Sequence, residues 1–521
     1  MAKVLIAEAL APSCVDVLQA AGHTIITRVG LEPAELLEAV ADVDALIIRS
    51  ATQVTDEVLA AGGSLVVVGR AGIGLDNVDV EAATTRGVLV ANAPLSNVVS
   101  AAEQAITLML ASARNVAQAH GALVEGRWER SRWTGVELFH KTIGLVGLGR
   151  VGRLVATRLS AFDTRLVAYD PYVSVENAAE IGVELLELDE LMSTADFVTV
   201  HLPKTPETTG LIGADQLRLA KPTMRIVNTA RGGIVDEVAL YEALVSQQIA
   251  GAGLDVFDEE PCTDSPLFGL DNVVVTPHLG ASTAEAQDRA GETIAEQVNL
   301  ALAGEFVPFA VNVAASAGSD EMMPFLRLAE RLGAFIAKLS TPMSATLEIS
   351  LVGDLAGADT RVAELTVVKG FLGEWHDGKV TFVNAPSLAD AAGLEITVVN
   401  DTATRQYRNL IGVRTDHHSL AGTLVGLHNE PRIVMLDNHV VEVPAADHVL
   451  VIRNEDRPGR MGQVGRHLGD AKINVSYMGL GRAVDESGAL MVLVLDEAPS
   501  AAVLDGLRSV QGLLSVELVS F

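Results

Sequence analysis

Residues 142–152 read T-I-G-L-V-G-L-G-R-V-G, and their reading decides the fold. A short apolar strand, T-I-G-L-V, runs directly into G-L-G-R-V-G, and a helical stretch, R-L-V-A-T-R-L, follows it. In that setting each glycine has a purpose. Gly147 permits a tight turn, Gly149 lets the backbone approach a pyrophosphate, and Gly152 allows the helix to pack closely on the strand. The helix start then offers unpaired N–H groups to the anion. Eighteen residues past Gly152, the strand R-L-V-A-Y ends in Asp170, placed to accept hydrogen bonds from an adenosine ribose. An acid there repels a 2′-phosphate, so NAD is favoured over NADP. A bare glycine-rich turn needs no ligand, but here strand, helix, spacing and terminal acid agree.

Outward from this stretch the chain repeats the same grammar. Up to about residue 96, the runs V-L-I-A, T-I-I-T, A-L-I-I-R-S, L-V-V-V-G-R and G-V-L-V-A-N alternate with helical or turn segments, as in a parallel sheet covered on both faces. The spacing predicts one long helix from about Ser100 to His120. Alternation then resumes through T-P-H at 276–278, and residues 284–303 have helical spacing that leads the chain back to the first domain. A-A-S-A-G-S-D at 314–320 reads as a linker. Beyond it a mixed region shows helices at 321–338 and 359–375 and strands around S-A-T-L-E-I-S-L and R-I-V-M-L. The last 75 residues read β-α-β-β-α-β, the ferredoxin-like order. The expected architecture is α/β, with two Rossmann-like doubly wound domains followed by an α+β domain and a ferredoxin-like unit. Its boundaries fall at 1–97 with 287–316, 98–286, 317–446 and 447–521.

Composition narrows the function. The chain has 521 residues, of which 49% are hydrophobic, 20% charged and only 4% aromatic, as expected of aliphatic α/β layers. A formal charge of −30 argues against nucleic acid or an anionic membrane as a partner. Cys14 and Cys262 are the only cysteines, which suits a reducing cytoplasm and offers neither a disulfide framework nor a metal-ligand cluster. M-A-K-V-L-I-A-E-A-L lacks a signal peptide's apolar core, and no apolar run reaches the ~18 residues of a membrane span.

Three polar residues follow strands of the second domain. Arg231 comes after M-R-I-V-N-T-A, Glu260 ends G-L-D-V-F-D-E-E, and His278 comes after V-V-V-T-P. Ligands of open parallel sheets bind outside the carboxyl ends of the strands, so all three can converge there. Hydride transfer between a hydroxy acid and NAD asks for a general acid/base, and histidine titrates in the useful range. A carboxylate beside the imidazole orients it, and a guanidinium holds a substrate carboxylate through paired hydrogen bonds. Singly, Arg231 reads equally as a surface ion-pair residue, Glu260 as a solvated loop acid and His278 as a helix-start residue.

T-A-R-G-G-I-V-D-E, G-L-D-V-F-D-E-E-P and P-H-L-G-A-S-T resemble the signatures of D-2-hydroxyacid dehydrogenases. With R-S-A-T at 49–52, G-R-A-G-I-G-L-D-N-V-D at 69–79 and the tail, the chain is most similar to the long-form D-3-phosphoglycerate dehydrogenases of that family. The resemblance implies that Arg231, Glu260 and His278 are catalytic and that Asp255 faces the nicotinamide carboxamide. It places Arg150 and Val151 along the pyrophosphate, and Thr229, Ala230, Gly280 and Ala281 near the rest of the cofactor. A phosphorylated hydroxy acid needs positive charge, for which Arg49 and Arg70 end strands of the first domain. Ser50 joins them, and Asn77 and the backbone of Gly72 to Gly74 are candidates for the carboxylate side. The basic patch G-R-W-E-R-S-R-W at 126–133 is either a subunit contact or a solvated face.

The tail, with N-E-D-R-P-G-R-M-G at 454–462 and I-N-V at 473–475, resembles the ACT domain, a module that binds amino acids. Asp456 and Asn474 match positions that bind L-serine in related enzymes, whereas Asn454 stands where relatives often carry a larger ring. The plainer alternative is a ferredoxin-like dimerisation unit without ligand. The resemblance further implies a homotetramer, and NAD-dependent oxidation of 3-phospho-D-glycerate at the entry to L-serine synthesis. A hydroxypyruvate reductase and an NADH-sensing binding protein remain as alternatives.

Overall fold

The computed structural model describes all residues except 316–320, 358, 405 and 483–487. The expected linker at 314–320 therefore lies, from residue 316 on, outside the described residues.

Two parallel sheets carry the first 310 residues. The first holds β1 (Lys3–Ile6), β2 (Thr24–Thr27), β3 (Ala45–Ile48), β4 (Val67–Arg70) and β5 (Leu89–Asn92) in the order β2-β1-β3-β4-β5. The second holds β6 (Thr142–Val146), β7 (Arg165–Tyr169), β8 (Val183–Leu185), β9 (Phe197–Val200), β10 (Arg225–Asn228), β11 (Gly251–Leu254) and β12 (Val273–Val275) in the order β12-β11-β10-β9-β6-β7-β8. Every pairing in both sheets is parallel. Near-continuous apolar runs form these strands because helices cover both faces: Ala45 to Ile48 are all buried, as are Phe197 to Val200. In the second sheet the order reverses between β6 and β9, which opens a crevice at their carboxyl ends.

The chain returns to the first domain through the helix Ala284–Leu302. Its Ile294 and Val298 are fully buried against β4, where a Cβ on Gly69 would lie 2.8 Å from Ile294 Cγ1. The helix expected from Ser100 to His120 is two helices, Val98–Arg114 and Val116–Val124. Asn115 between them has φ 52°, the left-handed region that asparagine enters more readily than most residues. Both halves keep apolar faces, so the break leaves little trace in the spacing.

Six strands make the third, mixed sheet: β13 (Thr346–Gly353), β14 (Glu395–Asp401), β15 (Asn409–Arg414), β16 (Ser419–Val425), β17 (Glu430–Leu436) and β18 (His439–Pro444), in the order β14-β13-β15-β16-β17-β18. Helices Leu326–Leu339 and Arg361–Leu372 pack with it. The sequence reading covers β13 and β17; β14 is largely polar, and Gly412 and Gly422 interrupt β15 and β16 in mid-strand. The terminal unit is β19 (His448–Asn454), helix Arg460–Asp470, β20 (Val475–Arg482), β21 (Ala489–Leu495), helix Ala501–Arg508 and β22 (Leu513–Ser520). Its antiparallel order, β20-β21-β19-β22, is ferredoxin-like.

One face of this last sheet packs on its own helices through Leu450, Ile452, Met491 and Leu493. The opposite face, with Val449, Val451, Leu490, Val492 and Val519, enters the same core as Phe335 and Ile336 of the preceding domain. Arg453 of β19 adds an ion pair to Asp437 of that domain. The tail is thus fused to its neighbour. Among the described residues, no helix is long and apolar enough to cross a membrane.

Candidate active site

The glycine-rich turn sits in the crevice at the carboxyl end of β6. Gly147 has φ 100°, and a Cβ there would lie 2.8 Å from the carbonyl oxygen of His201, which follows β9. Gly152 lies against Gly147, where a Cβ would come within 2.2 Å of the Gly147 carbonyl oxygen. Gly149 caps the helix Arg150–Leu159 and has nothing within 4 Å of a Cβ position, so the backbone is open to a ligand there. Asp170 braces the turn, accepting from the Leu148 N–H at 2.8 Å and from the Tyr172 N–H at 2.9 Å. Each oxygen keeps capacity for a ribose hydroxyl. Tight turn, open cradle, helix start and acid together fit a dinucleotide. Beneath them His201 meets Thr199 Oγ1 at 3.1 Å, and burial pushes its pKa down to about 4, so the ring is neutral near pH 7.

Replacing Asp170 with alanine is expected to weaken NAD binding by roughly 10- to 150-fold, the worth of a charged hydrogen bond, and to narrow the gap to NADP. Titrating both nucleotides against the variant checks this; an unchanged preference assigns the discrimination elsewhere.

The loops after β10, β11 and β12 meet at the neighbouring strand ends. Buried Asn228 shapes the first: its Nδ2 donates to the Arg231 carbonyl at 2.9 Å, and its Oδ1 accepts from the Ala230 N–H at 3.0 Å. Thr229 is buried and Ala230 half-buried beside it. Asp255, fully buried after β11, accepts at 2.8 Å from the N–H groups of both Leu279 and Gly280 and at 2.5 Å from Thr276 Oγ1. Gln104 Nε2 reaches Thr276 Oγ1 at 2.9 Å. That network holds His278 in a left-handed backbone, φ 54°, with its N–H donating to the Asp255 carbonyl at 2.8 Å. Its Nδ1 lies 2.6 Å from Glu260 Oε2. Both side chains are partly exposed, at 44% and 35%, so the pair faces the cleft. Glu260 Oε1 also accepts from the Phe257 N–H at 3.1 Å, which fixes the carboxylate.

From the opposite wall the first domain contributes guanidiniums. Arg231 reaches across, with Nε 3.7 Å from Asp76 Oδ2 and Nη2 where a Cβ on Gly74 would stand 2.6 Å away. Arg70 occupies the volume that a Cβ on Gly72 would need, 1.6 Å from its Nη1. Glycines at 72 and 74 therefore make room for two cations. Burial, and next the Arg231 charge, lower the pKa of Arg70; Glu8 and Asp76 oppose this, and Arg49 adds to it. Among the described residues, Arg70 Nε is buried without a partner. Ser50 is exposed next to Arg49. Asn77 is buried, and its amide donates to the carbonyls of Arg49 at 2.9 Å and Thr52 at 2.6 Å, so it shapes the loop.

Asp76, Asn228 and Thr276, which lie inside the motifs quoted above, support the site, as do Gln104 and, behind the Arg49 loop, Glu8, neither of which any sequence signal marks. The patch at 126–133 is largely paired: Arg127 with Glu125 and Glu129, and Arg132 with Glu129 and Asp271, while Trp128 is exposed. Asp456 and Asn474 are both exposed, and Asn474 Nδ2 donates to Asp496 Oδ2 at 2.6 Å. They flank opposite ends of the last sheet, because Asn454 pairs with Ala489 and Val475 with Leu495. Six residues at about 3.3 Å each separate those ends by roughly 20 Å.

A chain with a dinucleotide cradle set against a histidine–carboxylate pair belongs to the dehydrogenases of 2-hydroxy acids. Residues 106–280 match the family described as D-isomer specific 2-hydroxyacid dehydrogenase, NAD binding domain, and residues 321–437 match the D-3-phosphoglycerate dehydrogenase intervening domain. The chain is 48% identical to D-3-phosphoglycerate dehydrogenase of Mycobacterium leprae over 501 residues, 95% of this chain and 94% of that one. It is 40% identical to that of Archaeoglobus fulgidus over 526 residues, 99% of each. The TT0316 protein of Thermus thermophilus superposes with a TM-score of 0.56 at 35% identity, covering 59% of this chain and 99% of that one. This chain belongs to the D-3-phosphoglycerate dehydrogenase family.

Proposed function

We propose that the protein oxidises 3-phospho-D-glycerate to 3-phosphohydroxypyruvate with NAD, in the cytoplasm, as the first step toward L-serine. One observation carries this reading: Arg70 feels the charges of both Arg49 and Arg231, and Arg231 follows β10 as Glu260 and His278 follow the adjacent strands β11 and β12. Bound NAD supplies the hydride acceptor. Along the pyrophosphate, the residues to hold it are Gly147, Gly149, Arg150, Val151 and Gly152, with Asp170 at the ribose. At the nicotinamide half they are Thr229, Ala230, Asp255, Gly280 and Ala281. His278 takes the hydroxyl proton through Nε2, since Nδ1 is engaged by Glu260. Glu260 fixes the orientation of the ring. Arg231 holds the substrate carboxylate and polarises the reacting carbon–oxygen bond. Arg49 and Arg70 meet the phosphate, with Ser50 beside them. Three guanidiniums stand together there among the carboxylates of Glu8 and Asp76, and they supply the charged donors that a small anion needs.

The test is NADH formation with 3-phospho-D-glycerate, D-glycerate and a panel of other hydroxy acids. A strong preference for the phosphorylated acid supports the reading. Equal rates favour a general hydroxy-acid dehydrogenase, and no turnover leaves an NADH-sensing binding protein.

L-serine is the proposed effector of the terminal unit, read as an ACT domain. Asp456 and Asn474 of one chain stand too far apart for one serine, so the ligand would sit between units of two chains in a homo-oligomer, a tetramer by family likeness. Coupling of this kind is typically ~1–3 kcal/mol, so serine should inhibit clearly but incompletely. Asn474→Ala is expected to abolish the response with the basal rate retained. Deleting residues 447–521 is the poorer test, because it would uncover the core around Phe335 and Ile336. Serine inhibition unchanged in Asn474→Ala would place the effector elsewhere.

A further inference from the structure

The loop Arg49 to Thr52 carries two of the groups assigned to the phosphate, and a side chain outside the assigned chemistry holds it. Glu8 stands just past β1, next to β3 in the sheet. A single oxygen, Glu8 Oε1, accepts from the N–H of Arg49 at 2.9 Å, of Ala51 at 3.1 Å and of Thr52 at 2.9 Å. The N–H of Ser50 is not among them, and Ser50 and Ala51 are exposed between Arg49 and Thr52. On the other side Asn77 takes the carbonyls of Arg49 and Thr52. The loop is thus gripped through its donors by one side chain and through its acceptors by another. Arg49 Nη1 further donates to the Ala9 carbonyl, one residue beyond Glu8, at 3.4 Å. Glu8 also opposes the lowering of the Arg70 pKa, so its charge is felt inside the cluster.

We propose that Glu8 is the positioning residue of the anion-binding loop. It draws three N–H groups inward, so that the Arg49 side chain and the N–H and hydroxyl of Ser50 are presented to the substrate's phosphate. Its negative charge, with that of Asp76, also offsets the crowding of Arg49, Arg70 and Arg231, since like charges otherwise repel. This deepens the reading of the site as one for a phosphorylated hydroxy acid and rests on it. A residue without a side-chain acceptor at position 8 would leave three backbone donors unpaired and a loop free to relax.

Steady-state kinetics of the full-length enzyme with 3-phospho-D-glycerate and with D-glycerate test it. Glu8→Ala is expected to raise KM for the phosphorylated acid by roughly tenfold or more, the loss that follows from one misplaced charged hydrogen bond. The turnover number, KM for NAD and kcat/KM for D-glycerate should stay within about twofold, since neither the cofactor crevice nor the histidine is touched. Glu8→Gln keeps an acceptor oxygen within reach of the three N–H groups and should recover most of the loss. If Glu8→Ala is not recovered folded, Glu8→Ser, whose hydroxyl is too short to reach them, is read in the same way. An unmoved KM for phosphoglycerate, or an equal loss toward both acids, overturns the role of Glu8. A wild-type enzyme that does not distinguish the two acids overturns the functional reading itself, and the inference with it.

Discussion

Replacing His278 with alanine is expected to lower the turnover number by roughly 10²–10⁴-fold, the usual worth of a positioned acid/base, while NADH still binds. The expectation rests on how the loop is built. His278 is held by its own N–H on the Asp255 carbonyl, and the loop by the N–H groups of Leu279 and Gly280 on the Asp255 carboxylate. None of these bonds uses the imidazole, so alanine removes the proton acceptor without dismantling the turn. The left-handed backbone at this position admits alanine at a cost of ~1–2 kcal/mol. Gly147, Gly149 and Asp170 lie on another part of the crevice and are untouched. Turnover and an NADH fluorescence titration on the same preparation separate the two effects. Wild-type rates across the pH range would remove His278 from the mechanism.

What could be read in the sequence is what local chemistry writes there. The cofactor turn is legible because strand, three glycines, helix and acid occupy fewer than 30 consecutive residues, and each glycine answers a distinct steric demand. Arg231, Glu260 and His278 are legible because parallel strands deliver their carboxyl ends to one place. Even the covering of the terminal sheet leaves a sign. H-V-L-V-I-R at 448–453 does not alternate apolar with polar, and both faces prove to be packed, Val449 and Val451 against one layer and Leu450 and Ile452 against the other.

The supporting residues are illegible for the opposite reason. Glu8 acts on a loop 41 residues away, and Gln104 on Thr276, 172 residues away. Nothing about a glutamate after a strand, or a glutamine on a helix, announces such a partner. Asn77 lies inside a motif, yet its chemistry is shared between a ligand and the backbone, and only the structure shows both its amide hydrogens on carbonyls. Asn115 splits a helix because of one backbone angle, which the 3.6-residue pattern does not record.

Arg70→Ala carries the second large effect: KM for 3-phospho-D-glycerate should rise by roughly 10- to 150-fold, as expected for loss of a charged hydrogen bond, with KM for NAD little changed. Arg70 closes β4 at the mouth of the cleft, its Nε buried and unpartnered beside the charges of Arg231 and Arg49. A partly buried cation that keeps a buried donor unpartnered and meets two like charges, only partly offset by Glu8 and Asp76, is stabilised by an arriving anion more than a solvated one would be. 3-Phospho-D-glycerate is therefore expected to raise the melting temperature of the wild-type protein, and the Arg70→Ala variant should lose most of that rise. Arg70→Lys should not rescue the loss, because a shorter ammonium offers one point of charge where the guanidinium offers a planar fork in the space left by Gly72. Kinetics and melting curves, each with phosphorylated and unphosphorylated acid, give two independent readings. Equal damage toward D-glycerate in both would mean that Arg70 shapes the cleft without reading the phosphate.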